Sequence, residues 1–325
     1  MRGVFLALAC ALSIAANPPA FSADYPSSPI TMVVPFGPGG PTDAIARVIA
    51  DGMQGALGQP VIIKNAPGAA GIIGVRDAAG APADGYTLSI GHWGTHAVNG
   101  LIYPEAAEAL AGLQPVSLLA SNPYLILSRR NVPATDLRSL IAWLKDEDDK
   151  ALSATNGPGS AGYLIGTRFK QATGTAFRFV PYSGGIGASK KDLIGGHIDL
   201  MFDQAATSVS LVHSGLAKAY AVTSKARIAI APEIPTADEA GLPDFHMSAW
   251  HGLWVPKGTP PATVAKIRAA VANALKDAKV RDKLAKLGQE IPDSAEQTPE
   301  ALASRQRDEI ATWRPIIEPA QPQSH

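Results

Sequence analysis

Short apolar runs alternate along the chain with segments in which apolar residues recur every three or four positions. Residues 30–34 form the first run, and residues 44–57 follow it with Ile45 and Ile49 on one helical face. Further strands are predicted at 61–64, 84–91, 116–119 and 124–127, and a short helix at 71–79. Strands separated by helices are typical of a parallel α/β sheet, which binds ligands at the carboxyl ends of its strands.

The same alternation starts again after a helix at 137–143 and a charged run at 145–150, which we interpret as a solvated turn. Strands are then predicted at 151–155, 177–180, 198–202 and 217–222, and helices at 161–171, 186–194 and 204–212. The chain continues with one strand, at 249–255, and three helices, at 261–275, 280–287 and 299–310. This last segment has too few strands for a domain of its own, so we expect it to complete the first domain.

The pattern therefore predicts an α/β fold of two lobes, each a mostly parallel sheet flanked by helices, with a ligand cleft between them. Lobe 1 would consist of residues 24–120 and 245–325, and lobe 2 of residues 121–244. The chain would cross between the lobes near 119–126 and 243–250. Two lobes joined by hinge strands are typical of proteins that close on a ligand.

The first 23 residues have the features of an export signal. Arg2 precedes an apolar run, residues 4–16, that is too short to span a bilayer, and small residues around Ser22 and Ala23 offer a cleavage site. We therefore expect a periplasmic protein. Cys10, the single cysteine of the chain, lies in this signal. The mature protein would then have no disulfide, no thiolate nucleophile and no cysteine metal ligand.

The charges of the chain are balanced. It has 28 Lys and Arg residues and 28 Asp and Glu residues, and removing the signal removes only Arg2, which leaves 27 against 28 and a net charge of −1. Because neither sign dominates, we expect no nucleic acid partner. After the signal, no apolar run approaches the length of a membrane span.

A glycine-rich loop follows the first predicted strand. It reads VPFGPGGPTD and leads into a helix with Pro41 at the first helical position and Asp43 at the third. Backbone N–H groups at a helix start bind anions, and Gly39 and Gly40 permit close approach. Neither nucleotide-binding motif, G-x-G-x-x-G or G-x-x-x-x-G-K-[ST], fits this loop, so phosphate chemistry is not favoured.

Two more loops of this kind lie in the second series of strands. SATNGPGSAG ends a strand and starts a helix with Ser160 in position to act as the N-cap, and VPYSGGIG repeats the arrangement with Ser183, Gly184 and Gly185. Three such loops at strand ends, distributed over two lobes, indicate a cleft walled by helix N-termini. Its natural ligand is a small anion, and two carboxylates could span the lobes.

Residues 91–99, GHWGTHAVN, follow the third strand and should face the same cleft. His92 and Thr95 are candidate hydrogen-bond donors, whereas Trp93 could stack on a flat ligand or pack in the core. Asp203 ends a strand and could either cap the next helix or accept a hydrogen bond from a hydroxyl or ammonium group in the cleft.

The sequence favours neither a metal site nor an enzyme. His92 and His96 are four residues apart, but no glutamate follows His92 and no third ligand is evident, so we expect no metal and no cofactor. Ser160 lies outside the G-x-S-x-G motif because Pro158 occupies the first glycine position, and the seven histidines show no triad partners.

Several motifs in this order resemble the Bug-type (TctC-like) periplasmic receptors of tripartite tricarboxylate transporters. They are the segment from YPSSPITMVVPFGPGGPTD onward, DGYTLSIG, PYSGG, GGHIDLMFD, PEIPTADEAGLPDF and WHGLWVPKGTP. The resemblance implies a two-lobed fold that closes on a small carboxylate. It implies that residues 35–43 and 182–185 cradle the ligand from opposite lobes, that residues 153–160 add hydroxyl donors, and that Asp203 contacts the distal part of the ligand.

Together, the residues and the resemblance predict one set of ligand contacts. The set is Phe36, Gly37, Pro38, Gly39, Gly40, Thr42, Asp43, His92, Trp93, Thr95, Thr155, Asn156, Ser160, Ala161, Tyr182, Ser183, Gly184, Gly185 and Asp203.

We therefore expect a monomeric solute-binding protein that delivers a small carboxylate to the permease subunits of a tripartite tricarboxylate-type transporter. A dicarboxylate is favoured, and the aromatic residues Phe36, Trp93 and Tyr182 leave an aromatic one such as a phthalate open. The alternative is a periplasmic carboxylate sensor whose closed form contacts a sensor kinase.

Overall fold

The computed structural model describes residues 25–157, 160–182 and 186–317. The predicted export signal therefore lies outside the described residues. Within them, no helix is both long and apolar enough to cross a membrane.

The strands and helices follow one another much as the hydrophobic pattern predicts. The strands are β1 (Ile30–Val34), β2 (Val61–Asn65), β3 (Thr87–His92), β4 (Leu113–Arg129), β5 (Leu152–Thr155), β6 (Arg178–Pro181), β7 (Leu200–Gln204), β8 (Ala217–Val222) and β9 (Ser248–Pro256). The helices are α1 (Pro41–Leu57), α2 (Ile72–Ala79), α3 (Asn99–Ile102), α4 (Pro104–Ala111), α5 (Leu137–Glu147), α6 (Ala161–Thr173), α7 (Ile186–Gly195), α8 (Ala205–His213), α9 (Pro261–Lys276), α10 (Ala278–Lys286) and α11 (Pro299–Ile317).

The strands form one curled sheet in the order β2-β1-β3-β9-β4-β7-β5-β6, and β8 pairs with β4. In the first half β1, β2 and β3 are parallel and β9 runs against them, while β4 runs against β9. In the second half β5, β6 and β7 are parallel, and β4 runs against β7 and β8. Each half thus has one strand opposed to the others, which agrees with the predicted mostly parallel sheets.

The two strands predicted at 116–119 and 124–127 are wrong as separate elements, because both belong to β4. Residues 113–123 of this strand pair with β9, and residues 124–129 pair with β7 and β8. The intervening Ser-Asn-Pro sequence has the composition of a turn. Pro123 instead lies where β4 changes partners, at the end of its ladder with β9.

The C-terminal segment packs with the N-terminal half. β9 inserts between β3 and β4, and α9 shares a buried cluster with α1 that includes Ile45, Ile49 and Ile267. Trp250, Trp254 and Trp313 lie in another buried cluster that joins β9 and α11 to the second half. The lobe boundaries at 120/121 and 244/245 stay a prediction, which this arrangement supports.

One segment for which the sequence predicts no helix or strand is helical. After β3, residues Gly94–Val98 form a π-helical turn that leads directly into α3. Four of these five residues are buried, so this segment is part of the core as well as an approach to the cleft.

We predict that Gly74→Ala destabilises the protein by roughly 1–3 kcal/mol, because overpacking a close contact is unfavourable. A Cβ at Gly74 would lie 2.7 Å from the Pro35 Cα and 2.9 Å from the Ala66 carbonyl oxygen, and backbone atoms cannot rotate away. The matched control is Gly55→Ala in α1, where a Cβ meets open space and helix propensity favours alanine by about 0.5–1 kcal/mol. Urea unfolding measures both, and equal stability of the two variants would contradict the argument.

Candidate functional site

A cavity of about 300 Å³ lies where three helices begin. β1, β5 and β7 lead at their carboxyl ends toward α1, α6 and α8, and residues at the start of each helix line the cavity. The lining residues are Pro41, Tyr124, Ala154, Thr155, Asn156, Ser160, Ala161, Gly162, Ser189, Met201, Phe202, Asp203, Gln204 and Thr207. Of the predicted contacts, the structure brings Thr155, Asn156, Ser160, Ala161 and Asp203 together here.

The first loop has the geometry that its glycines predict. Gly40 is the extended N-cap of α1, Pro41 follows at the start of the helix, and Gly39 has φ +85°, which only glycine adopts readily. No side chain caps the first turn. The N-terminus of α1 therefore begins at the cavity with no side-chain acceptor of its own.

The Asp43 carboxylate holds this loop in place through hydrogen bonds. It accepts hydrogen bonds from the Gly39 backbone N–H and the Asn65 side-chain amide, each at 2.9 Å, and from Arg47 at 2.9 and 3.0 Å. The hydrogen bonds from Arg47, Gly39 and Asn65 lower the pKa of Asp43 to about 2. Asn65 also donates to the carbonyl of Phe36 at 3.0 Å, so the loop is held at both ends.

The loop before α6 leaves its helix start open in a different way. Ser160 occupies the predicted N-cap position, but its hydroxyl donates to the Gly157 carbonyl at 2.7 Å and shares a 2.8 Å hydrogen bond with the Thr155 hydroxyl. No side chain caps α6 as a result. Ser160 is therefore the N-cap residue, as predicted, but its hydroxyl bonds to the loop and not to a backbone N–H of the helix.

Asp203 lies in the wall of the cavity and is 7% exposed. It does not cap the backbone of α8, whose N-cap is Gln204 without a side-chain cap. Its Oδ2 atom accepts from the Thr207 hydroxyl at 2.7 Å and the Ser208 hydroxyl at 2.5 Å, and it lies 3.0 Å from the Lys190 ammonium. Of the two possibilities that the sequence left open, the structure thus favours a position at the cleft.

His92 is held as a neutral hydrogen-bond donor beside the first loop. Its Nδ1 accepts the Gly94 backbone N–H at 2.8 Å, which leaves the ring proton on Nε2, and the ring stacks on Phe36 with centroids 5.1 Å apart. Burial lowers the pKa of His92 to about 4, so the ring is uncharged at neutral pH.

Trp93 and Thr95 point largely into the protein. Trp93 is 6% exposed and its ring lies 5.7 Å from that of Trp313, which favours core packing over ligand stacking. The hydroxyl of Thr95 lies 3.0 Å from Nδ1 of His96 and donates to the carbonyl of His92 at 3.2 Å.

Sequence reasoning missed residues that the sheet brings to the site. His251 pairs with His92 across β9 and β3, and its Nε2 lies 3.2 Å from the Thr42 hydroxyl. Burial, reinforced by the neighbouring His92, lowers the pKa of His251 to about 3. Tyr124 and Gln204 face one another across β4 and β7 and both line the cavity. No local motif marks these residues, because strand pairing between distant segments places them.

The loop after β6 is only partly described. Tyr182 donates its hydroxyl to Asp192 at 2.7 Å, and burial, together with this carboxylate, raises the pKa of Tyr182 to about 12. Ser183, Gly184 and Gly185 lie outside the described residues, so the cradle from this loop stays a prediction.

The chemistry of the described site is that of binding. Hydroxyls, neutral imidazole and uncapped helix starts offer hydrogen-bond donors to an anion. Among the described residues, no group of three or more His, Asp or Glu side chains is arranged to hold a metal ion.

We predict that Asp43→Asn lowers the free energy of unfolding at pH 7 by roughly 1–3 kcal/mol, because charge-assisted hydrogen bonds are lost. The pKa is lowered in the folded protein, so its stabilisation is present above about pH 4 and disappears as the pH falls toward 2. The difference between wild type and variant in urea unfolding should shrink over that range. The control Asp51→Asn, on the exposed side of α1, should change stability by less than about 1 kcal/mol. A wild-type-minus-variant difference that is independent of pH would contradict the assignment.

Comparison with known proteins identifies the family. The profile of the tripartite tricarboxylate transporter family receptor matches residues 45–321. MatC from Rhodopseudomonas palustris, solved with bound malate, is 37% identical, with 90% of this chain and 100% of that chain covered and a TM-score of 0.73. An R. palustris protein solved with adipate is 32% identical, with 90% and 97% covered and a TM-score of 0.74.

The periplasmic binding protein BugD is 36% identical, with 91% of this chain and 98% of that chain covered and a TM-score of 0.72. These three similarities each cover about nine tenths of the chain. The chain belongs to the tripartite tricarboxylate transporter receptor family, whose members are periplasmic solute-binding proteins of two-lobed fold and not enzymes.

Proposed function

We propose that this protein is exported to the periplasm, captures a small dicarboxylate between its lobes and passes it to the permease subunits of a tripartite tricarboxylate-type transporter. The observation that carries the proposal is the cavity where α1, α6 and α8 begin. None of these three helices has a side-chain cap, so backbone N–H groups from both halves of the sheet are available to an anion.

The charge of the site supports a carboxylate held by neutral donors. Three helix starts supply partial positive charge, and Thr155, Asn156 and Ser160 add side-chain hydroxyl and amide groups. The histidines nearest the first loop are uncharged, since burial lowers the pKa of His92 to about 4 and that of His251 to about 3. Such a site selects by geometry and hydrogen bonding rather than by a strong cationic field.

An aliphatic dicarboxylate is the best supported ligand class. MatC and the adipate-bound R. palustris protein were both solved with ligands of this class. Two of the three aromatic residues that left a phthalate open are engaged within the protein, since Phe36 stacks on His92 and Trp93 packs against Trp313.

Closure of the cleft on a ligand is expected because both halves of the sheet contribute residues to the cavity. The cavity is lined by Pro41 from the first half and by α6 and α8 from the second, while the crossing strand β4 contributes Tyr124. A ligand that contacts both halves binds the closed arrangement better than the open one and so shifts the population toward it. The closed form is then the one that a permease recognises.

We predict that malate, succinate or adipate raises the melting temperature of the mature protein, whereas nucleotides and sugars do not. A ligand that binds only the native state stabilises it by mass action, by about 2.7 kcal/mol at 100 times its Kd. Phthalate and citrate belong in the same panel and separate aromatic and tricarboxylate ligands from aliphatic dicarboxylates. A response confined to nucleotides or sugars would contradict the proposal.

The location of the site is tested by Ala161→Leu at the cavity end of α6. The longer side chain should fill the cavity and weaken binding at least tenfold in calorimetric titration. The matched control is Ala172→Leu, an exposed position on the same helix, which should bind as the wild type does. Equal binding by both variants would place the ligand elsewhere.

Delivery is tested with permease subunits reconstituted in vesicles. Uptake of labelled dicarboxylate should depend on the loaded receptor and fall with Ala161→Leu. Binding without uptake, together with ligand-dependent activation of a sensor kinase, would favour the sensory alternative.

A further inference from the structure

Asp203 is an unexpected residue in the wall of an anion-binding cavity. Among the described residues that line the cavity, it is the only one with a charged side chain. A lone carboxylate there would repel a dicarboxylate ligand, since the repulsion between like charges in a partly buried site is only weakly screened by salt.

Lys190 compensates this charge from the neighbouring helix α7. Its Nζ lies 3.0 Å from Oδ2 of Asp203, and the two side chains are only 16% and 9% exposed. Lys190 also donates to the backbone carbonyl of Thr207, which fixes the ammonium beside α8. The pair is therefore held in place within the lobe and brings no net charge to the cavity.

The remaining hydrogen bonds leave one carboxylate oxygen of Asp203 for a ligand. The hydroxyls of Thr207 and Ser208 donate to Oδ2, the same atom that Lys190 contacts. Within the described residues, Oδ1 accepts no hydrogen bond. Oδ1 can therefore accept from a hydroxyl donor, whereas an ammonium group would approach a site whose charge Lys190 already balances.

We propose that Lys190 determines which dicarboxylates this receptor accepts: ligands that carry a hydroxyl or hydrogen beside Asp203 bind, and ligands that carry an ammonium group there are rejected. This inference rests on the proposed function and specifies the ligand class of the same cavity. Lys190 acts through Asp203, so it is a positioning residue for specificity and not a direct ligand contact.

Malate, succinate and aspartate test the proposal because they share a four-carbon dicarboxylate skeleton and differ in one substituent: hydroxyl, hydrogen or ammonium. Titration calorimetry should show that the wild type binds aspartate at least tenfold more weakly than malate. In Lys190→Gln the unpaired Asp203 charge should weaken malate binding at least tenfold. It should also lower the ratio of the aspartate Kd to the malate Kd at least tenfold, because aspartate then binds relatively better.

Two variants distinguish charge from general disturbance. Lys190→Arg keeps the charge and should keep the Kd ratio within about threefold of the wild type. Lys191→Gln removes the charge of an adjacent exposed lysine and should leave the ratio unchanged. A shift of equal size in Lys191→Gln would overturn the assignment, because the effect would then reflect overall charge.

A fourth variant keeps the test decisive if Lys190→Gln does not fold, which its melting curve would reveal. Asp203→Asn leaves Lys190 unpaired and should raise the ratio of the aspartate Kd to the malate Kd at least tenfold, because malate then binds relatively better. An unchanged ratio in every folded Lys190 and Asp203 variant, with wild-type binding of malate or succinate intact, would overturn the assignment of Lys190 alone. A wild type that binds none of the dicarboxylates would overturn the proposed function, and this inference with it.

Discussion

The antiparallel pairing of β4 with β9 is the constraint on which the rest of the structure depends. β4 runs for 17 residues and exchanges β9 for β7 and β8 at Pro123. Because one continuous strand belongs to both halves of the sheet, the carboxyl ends of the parallel strands in each half are brought to face a common cleft. The same strand carries Tyr124 into the cavity, next to Gln204 of β7.

Helix starts line the cavity, and none of its described lining residues is a lysine or arginine. Gly39 at positive φ and the extended Gly40 present the start of α1, and the Ser160 hydroxyl turns back to its own loop instead of capping α6. The charged groups near these loops are paired with one another, Asp43 with Arg47 and Asp203 with Lys190. The result is a polar, nearly neutral surface whose donors come mostly from helix starts, a chemistry that suits carboxylates of several shapes.

The elements themselves were largely predictable from the sequence. Every strand except β4 was predicted within a few residues, because a short apolar run bounded by glycine or proline is typical of a strand. The error at β4 has a physical cause: Ser-Asn-Pro is turn-like locally, and only pairing with β9 keeps it extended. The π-helical turn after β3 was not predicted for a similar reason, since Trp93 and His96 pack against Trp313 and Trp254, which lie far away in the chain.

The sequence alone predicts three loops that bind an anion, because glycine, proline and serine at the end of an apolar run are typical of helix starts with open N–H groups. It also determined the family, through the order of its motifs. Which side chains share the site depends on the tertiary structure. His251 meets Thr42, Tyr124 meets Gln204 and Lys190 meets Asp203 through contacts between separate segments of the fold. Such contacts depend on strand order and helix packing, which no local pattern of residues encodes.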